Sequence, residues 1–221
     1  MPAAAFWVGG PVFARLPFAL MSLLNSTAER RLLHRRSIDA QVYARDDGLF
    51  EVEAVLRDTK ARDVPMANGL RRAGEPIHDM LLRLVVDAQL NVLAATSETR
   101  WMPYPGACGE HGQAYERLVG LNLLKGFRAG VKERLAGVKG CTHLTELSQV
   151  LPTAVIQAFA GLVIDTREGD AGTGQPPFQI DKCHALRSDG AVVQTHYPRW
   201  YRGGQAVPTA AAAVSPASSS S

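Results

Sequence analysis

Between Ala40 and Glu98 the chain alternates apolar and polar residues with a period of two, interrupted at short turn-forming clusters. Ala40 to Arg45 and Leu49 to Asp58 flank Asp46-Asp47-Gly48, and Asp-Gly between two alternating runs predicts a β-hairpin. In the second run Phe50, Val52, Ala54 and Leu56 fall on one face, with Glu51, Glu53 and Arg57 on the other. A loop containing Pro65, Asn68, Gly69 and Gly74 follows. Ile77 to Val86 then reads as a more buried strand, joined through Asp87-Ala88-Gln89 to a fourth strand from Leu90 to Glu98. Four strands joined by short turns predict an antiparallel meander.

After Arg100 the period changes. Trp101 to Gly109 carries loop chemistry, with Met-Pro, Tyr-Pro, Gly and Cys108. From His111 onward Val119, Leu123, Phe127, Val131 and Leu135 recur every four residues, which predicts a helix broken near Gly120 and ended by Gly137 to Gly140. A second helix is expected from Thr142, with Leu144, Leu147, Leu151, Val155 and Phe159 on its buried side and a kink or break at Pro152. The loop from Gly161 to Pro177 leads to a last pair of runs, Phe178 to Leu186 and Ala191 to Tyr197. Ser188-Asp189-Gly190 between them predicts a C-terminal hairpin. Strands first and helices next imply an α+β fold: an antiparallel sheet meander with helices packed on one face, plus that hairpin.

Both ends differ from this core. Residues 1–27 hold a single charge, Arg15, and three prolines; residues 203–221 are Ala/Ser/Pro-rich. The order of charge and apolar residues at the start does not match an export signal. The segment reads as a disordered or non-native extension, with Met21 an alternative start, and the tail as disordered. A single α+β domain over 28–202 remains.

Charge and cysteine count narrow the partners. The formal net charge is +3 from 24 cations and 21 anions, too balanced to point to nucleic acid. Three cysteines cannot form a disulfide framework, and no unbroken run of apolar residues is long enough to span a membrane. A cytoplasmic protein is expected.

The candidate chemistry lies in three places. Gly140-Cys141-Thr142-His143-Leu144-Thr145-Glu146 puts a thiol at a helix start, where the positive helix end favours the thiolate, and Thr142 is a plausible cap. His143 and Glu146 are three residues apart and share a helix face; a buried, unreactive Cys141 is the plainer reading. His78 and Asp79 open the central strand, where neighbours point to opposite faces unless the pair lies in the preceding loop. Cys108 sits in a glycine-rich loop. Cys183 and His184 fall on the expected last hairpin, with His184 packing beside Phe178, Ile180 and Leu186.

Two resemblances add to this reading. The stretch from about Arg36 to Phe159 resembles an uncharacterised family, a domain of unknown function found mainly in proteobacteria, through Arg-Asp-Asp-Gly-Leu-Phe-Glu-Val at 45–52, His-Asp-Met at 78–80 and Gly-Cys-Thr-His-Leu-Thr-Glu-Leu at 140–147. More distantly, the order of Asp79-Met80, two strands, Cys108, and Cys141 before a helix resembles NifU-like iron–sulfur scaffold proteins. That resemblance implies Asp79, Cys108 and Cys141 as ligands, with His78 or His143 completing the shell. It also implies a zinc ion or iron–sulfur cluster as cofactor and a protein partner for metal or cluster transfer. The sequence departs from the scaffold pattern at Ile77, where the first cysteine belongs, and at Gly140, where a histidine precedes the cysteine. The expectation is a metal- or iron–sulfur-binding scaffold-like protein. The alternatives are an enzyme with Cys141 as nucleophile beside His143, and a non-catalytic interaction module.

Overall fold

The structure, a computed structural model, describes residues 28–167 and 174–203. The two terminal segments expected to be disordered lie outside these residues, apart from Gly203.

The alternating segments form one antiparallel sheet of four strands in the order β1-β2-β5-β6: β1 (His34–Ala44), β2 (Phe50–Lys60), β5 (Pro76–Val86) and β6 (Val92–Trp101). The β1–β2 turn falls at Asp46-Asp47-Gly48. Gly48 has φ 81° there, and the Asp47 carboxylate accepts the Leu49 N–H. A small hairpin, β3 (Val64–Met66) and β4 (Gly69–Arg71), occupies the segment expected to be a loop.

Strand register decides which residues share a face. Val42, Val52 and Leu84 align across β1, β2 and β5, as do Ala40, Ala54 and Leu82, and Ile38, Leu56 and Met80. Of these, Val52, Ala54, Leu56, Met80, Leu82 and Leu84 are almost wholly buried. The opposite face carries Glu51, Glu53, Arg57 and Arg83, with Arg83 paired to Glu53 across the strands.

The helices cover the apolar face. A 3-10 segment (Gly112–Leu118) buries Tyr115 and Leu118; α1 (Phe127–Leu135) buries Phe127, Val131 and Leu135. α2 (Thr142–Ser148) packs on β5 and β2, and α3 (Leu151–Phe159) packs on β1 and β2. The expected first helix breaks at Gly120, which takes φ 81°, a region closed to most side chains. Val119 lies before the break, 42% exposed, and so leaves the stripe that the four-residue period assigned to it. The second expected helix is two helices. Pro152 sits in the first turn of α3, where its missing N–H costs nothing, so it starts a helix instead of kinking one.

The C-terminal hairpin is not formed. Ala191–His196 is a short helix, α4, and His184–Leu186 and Pro198–Trp200 are 3-10 turns. A two-residue Asp-Gly hairpin turn needs positive φ at its glycine, but Gly190 has φ −93° and serves as the α4 N-cap. His184 is exposed and opens a 3-10 turn, so the strand-face packing position expected for it is not formed. No helix among the described residues is long and apolar enough to cross a membrane.

Candidate metal centre

At the end of the apolar face, three strands place polar residues in the phase that elsewhere carries the core. Arg36, Asp58 and His78 align across β1, β2 and β5, one row beyond Ile38, Leu56 and Met80. They therefore point toward the helices. A β-bulge between Asp58 and Thr59 ends the regular pairing at this row.

Asp58 is the hub. Its residue is 1% exposed, so its charge needs partners. Arg36 donates from Nε to Oδ1 at 2.8 Å and from Nη2 to Oδ2 at 2.7 Å, a two-pronged guanidinium–carboxylate pair. His78 Nδ1 lies 3.0 Å from Oδ2, and His34 Nε2 lies 3.1 Å from Oδ1. Burial alone raises the Asp58 carboxyl, but the bonds and charge of Arg36, followed by His78, outweigh it and hold the pKa down to about 2.

α2 closes the site from above. Its first turn carries His143, whose Nε2 lies 3.9 Å from Asp58 Oδ2 and whose ring stands over His78 with centroids 3.8 Å apart. One turn on, Glu146 accepts from Arg36 Nη1 at 2.5 Å. Burial pushes both imidazoles below the usual histidine value. For His78 the Asp58 carboxylate opposes this, whereas for His143 the nearby His78 and Arg36 add to it. Both rings are thus kept neutral near pH 7, the form that ligates a metal.

The start of α2 is fixed by Gly140 and Tyr115. A Cβ at Gly140 would sit 2.9 Å from the Leu135 carbonyl oxygen and 3.2 Å from the Tyr115 hydroxyl, so only glycine lets the chain pass. The buried Tyr115 hydroxyl donates to the Cys141 carbonyl at 2.7 Å, accepts from the Cys141 N–H at 3.1 Å and meets Thr145 Oγ1 at 2.9 Å. Burial raises its pKa to about 12 against the opposing bond from Thr145. Cys141, not Thr142, is the residue that precedes the helix, and no side chain caps it.

Asp58, His78 and His143 each offer one ligand atom within 4.8 Å of the others, and among the described residues theirs is the group of three that does so. Of the residues singled out from sequence, His78 and His143 meet there. Cys141 lies at the margin, its Sγ 3.9 Å from His143 Nδ1 and 3.9 Å from Met80 Sδ. Asp79 does not join them. Strand alternation turns it to the opposite face, where Arg57 pairs with it through Nε at 2.8 Å and Nη2 at 2.6 Å. Cys108 stays in the loop after β6, its N–H bonded to the Tyr104 carbonyl. The ligand set Asp79, Cys108 and Cys141 is therefore not assembled. The residues that sequence reasoning missed are Asp58, Arg36 and His34. Asp58 and Arg36 are each a polar residue in the apolar phase of a strand, the same signal that His78 gives.

A family model described as Protein of unknown function (DUF2889) matches residues 34–157. The match contains every residue of this site and more than half of the 221-residue chain, and the chain belongs to that family. No curated protein and no solved structure matches it.

Proposed function

We propose that this member of the DUF2889 family binds one divalent transition-metal ion, zinc or ferrous iron, through Asp58, His78 and His143. The observation that carries the reading is the convergence of two neutral imidazoles and one ionised carboxylate within 4.8 Å. Ligands about 2.1 Å from a tetrahedral ion stand about 3.4 Å apart. The Asp58 Oδ2 distances to His78 and His143, 3.0 and 3.9 Å, bracket that spacing. Two histidines and a carboxylate are the donor set of mononuclear zinc and non-haem iron sites that keep open positions for water or substrate.

The surroundings support the same reading. A carboxylate has about four lone-pair sites, so Asp58 Oδ2 ligates while Arg36 stays as its orienting partner. Asp58 and Glu146 against Arg36 leave one negative charge when the imidazoles are neutral, which favours a dication. The nitrogen–oxygen donors favour a single ion over an iron–sulfur cluster. Cys141 then serves as the outer partner of His143 Nδ1. Elemental analysis of anaerobically purified protein tests this. Close to one equivalent of zinc or iron is expected, lost in Asp58→Asn and His143→Ala and kept in Cys108→Ala. Metal-free protein that also fails to take up added zinc contradicts it.

A second reading uses the same residues differently. Cys141, His143 and Asp58 stand in the order nucleophile, base and orienting carboxylate, with both steps at 3.9 Å. Those gaps exceed the roughly 2.6–3.2 Å of a working nucleophile–base pair. This reading predicts alkylation of Cys141 at neutral pH faster than a free thiol; a slower rate removes it.

A further inference from the structure

The outer face of the sheet carries a cleft with its own chemistry, on the opposite side of the strands from Asp58. β1 and β2 pair Arg35 with Thr59 and Ser37 with Arg57. These four residues, with Lys60 and the apolar Leu32 and Ala61, line a cleft of about 440 Å³. That size suits a small-molecule ligand. Three cations line it and no acid does.

The carboxylates of the neighbouring segments have partners of their own, Asp79 through Oδ2 alone. Asp79 holds Arg57, Asp63 accepts from Arg72 and the Ala73 N–H, and Glu75 accepts the Arg72 N–H. Arg57 is thereby fixed in place, since its partner Asp79 is 2% exposed. Arg35 and Lys60 make no side-chain hydrogen bond or ion pair among the described residues, so their charges are left for a ligand.

We propose that this cleft binds the phosphate group of a small phosphate monoester. The unpaired Arg35 guanidinium fork matches phosphate oxygens two at a time, and the Lys60 ammonium adds a point charge. The Ser37 and Thr59 hydroxyls supply further donors, and Leu32 and Ala61 offer an apolar rim for the carbon portion. The site stands apart from the metal centre and does not depend on it.

Calorimetric titration of the full chain with inorganic phosphate, glycerol phosphate, acetate and a short single-stranded oligonucleotide, at about 0.15 M salt to screen diffuse attraction, tests it. Saturable one-site binding of glycerol phosphate is expected, with acetate weaker. Arg35→Gln and Lys60→Gln should each weaken it about tenfold or more, the loss of one charge-assisted contact. Arg35 is exposed and Lys60 half-buried, and neither side chain has a partner among the described residues, so melting temperature and metal uptake should match the parent. No saturation by about 10 mM phosphate monoester, a range weaker than ordinary ligand affinities, overturns the proposal. Variants that bind like the parent, or an oligonucleotide that outcompetes the monoester, overturn it as well.

Discussion

Asp58 gathers the polar cluster at the end of the apolar face around one buried carboxylate. It is buried, and its negative charge is matched by Arg36 and steadied by two histidines. Asp58→Asn keeps the shape but removes the charge, leaving Arg36 facing a neutral amide. Because Arg36 is one-third exposed, the cost is below that of a fully buried pair, about 2 kcal/mol. Chemical denaturation of the metal-free variant checks this; an unchanged midpoint would show that the pair is not formed. Cys108→Ala should leave the midpoint within about 0.5 kcal/mol of the parent, as for a loop position away from any buried network. His78 and His143 were legible as candidates because histidines in marked positions draw notice. Asp58 reads in sequence as the last residue of an alternating strand. Only its position, two residues after Leu56 in the apolar phase, distinguishes it. Asp79, which the scaffold resemblance implied as a ligand, does not join His78, because adjacency along a strand is separation across the sheet.

At the level of elements, the site depends on how α2 meets the strands. The Gly140–Cys141 entry and the Tyr115 hydroxyl set the direction of α2 and so the reach of His143 and Glu146. Tyr115→Phe removes the partner of the Cys141 N–H and should cost about 1–2 kcal/mol. It should also weaken metal uptake although Tyr115 touches no ligand. Gly140→Ala places a methyl against the Leu135 carbonyl and should cost about 1–3 kcal/mol. Thermal melts with and without zinc measure both effects; a Tyr115→Phe protein with parental zinc affinity would detach the helix entry from the site. The meander was readable because a period of two admits few other structures. The helical region was less so. Gly120 and Pro152 marked the breaks, but the four-residue period alone did not show that Val119 leaves the stripe or that Pro152 starts a helix of its own. The last hairpin was misread because Asp-Gly serves equally before a helix, and the backbone angle that decides between the two is absent from sequence.

For the whole molecule, the sheet divides two chemistries. One face holds the core and ends in the buried polar row of Arg36, Asp58 and His78; the other is polar and ends in a basic cleft. Both arise at the same end of the same strands. The helix-side cluster also sets the pH response of the metal-free fold. His78 and His143 have folded pKa values below their unfolded ones. The unfolded chain therefore takes up protons first, and stability falls as pH drops below about 6.5. Asp58, held to about 2 from 3.8, adds stability above pH 4 that is lost as pH falls toward 2. Melting temperature should therefore decline between pH 7.5 and 5 in the presence of chelator, and His143→Ala should flatten that decline. A parent profile that is flat over this range would contradict the buried, neutral histidines.

The coordination shell of the bound ion tests the central claim most directly. X-ray absorption at the zinc edge, on protein loaded with one equivalent, should show nitrogen and oxygen scatterers near 2.0–2.1 Å with imidazole outer-shell features and no sulfur near 2.3 Å. A sulfur shell would move the site to the cysteines, and an ion that keeps only its water ligands would leave Asp58, His78 and His143 as a structural polar cluster.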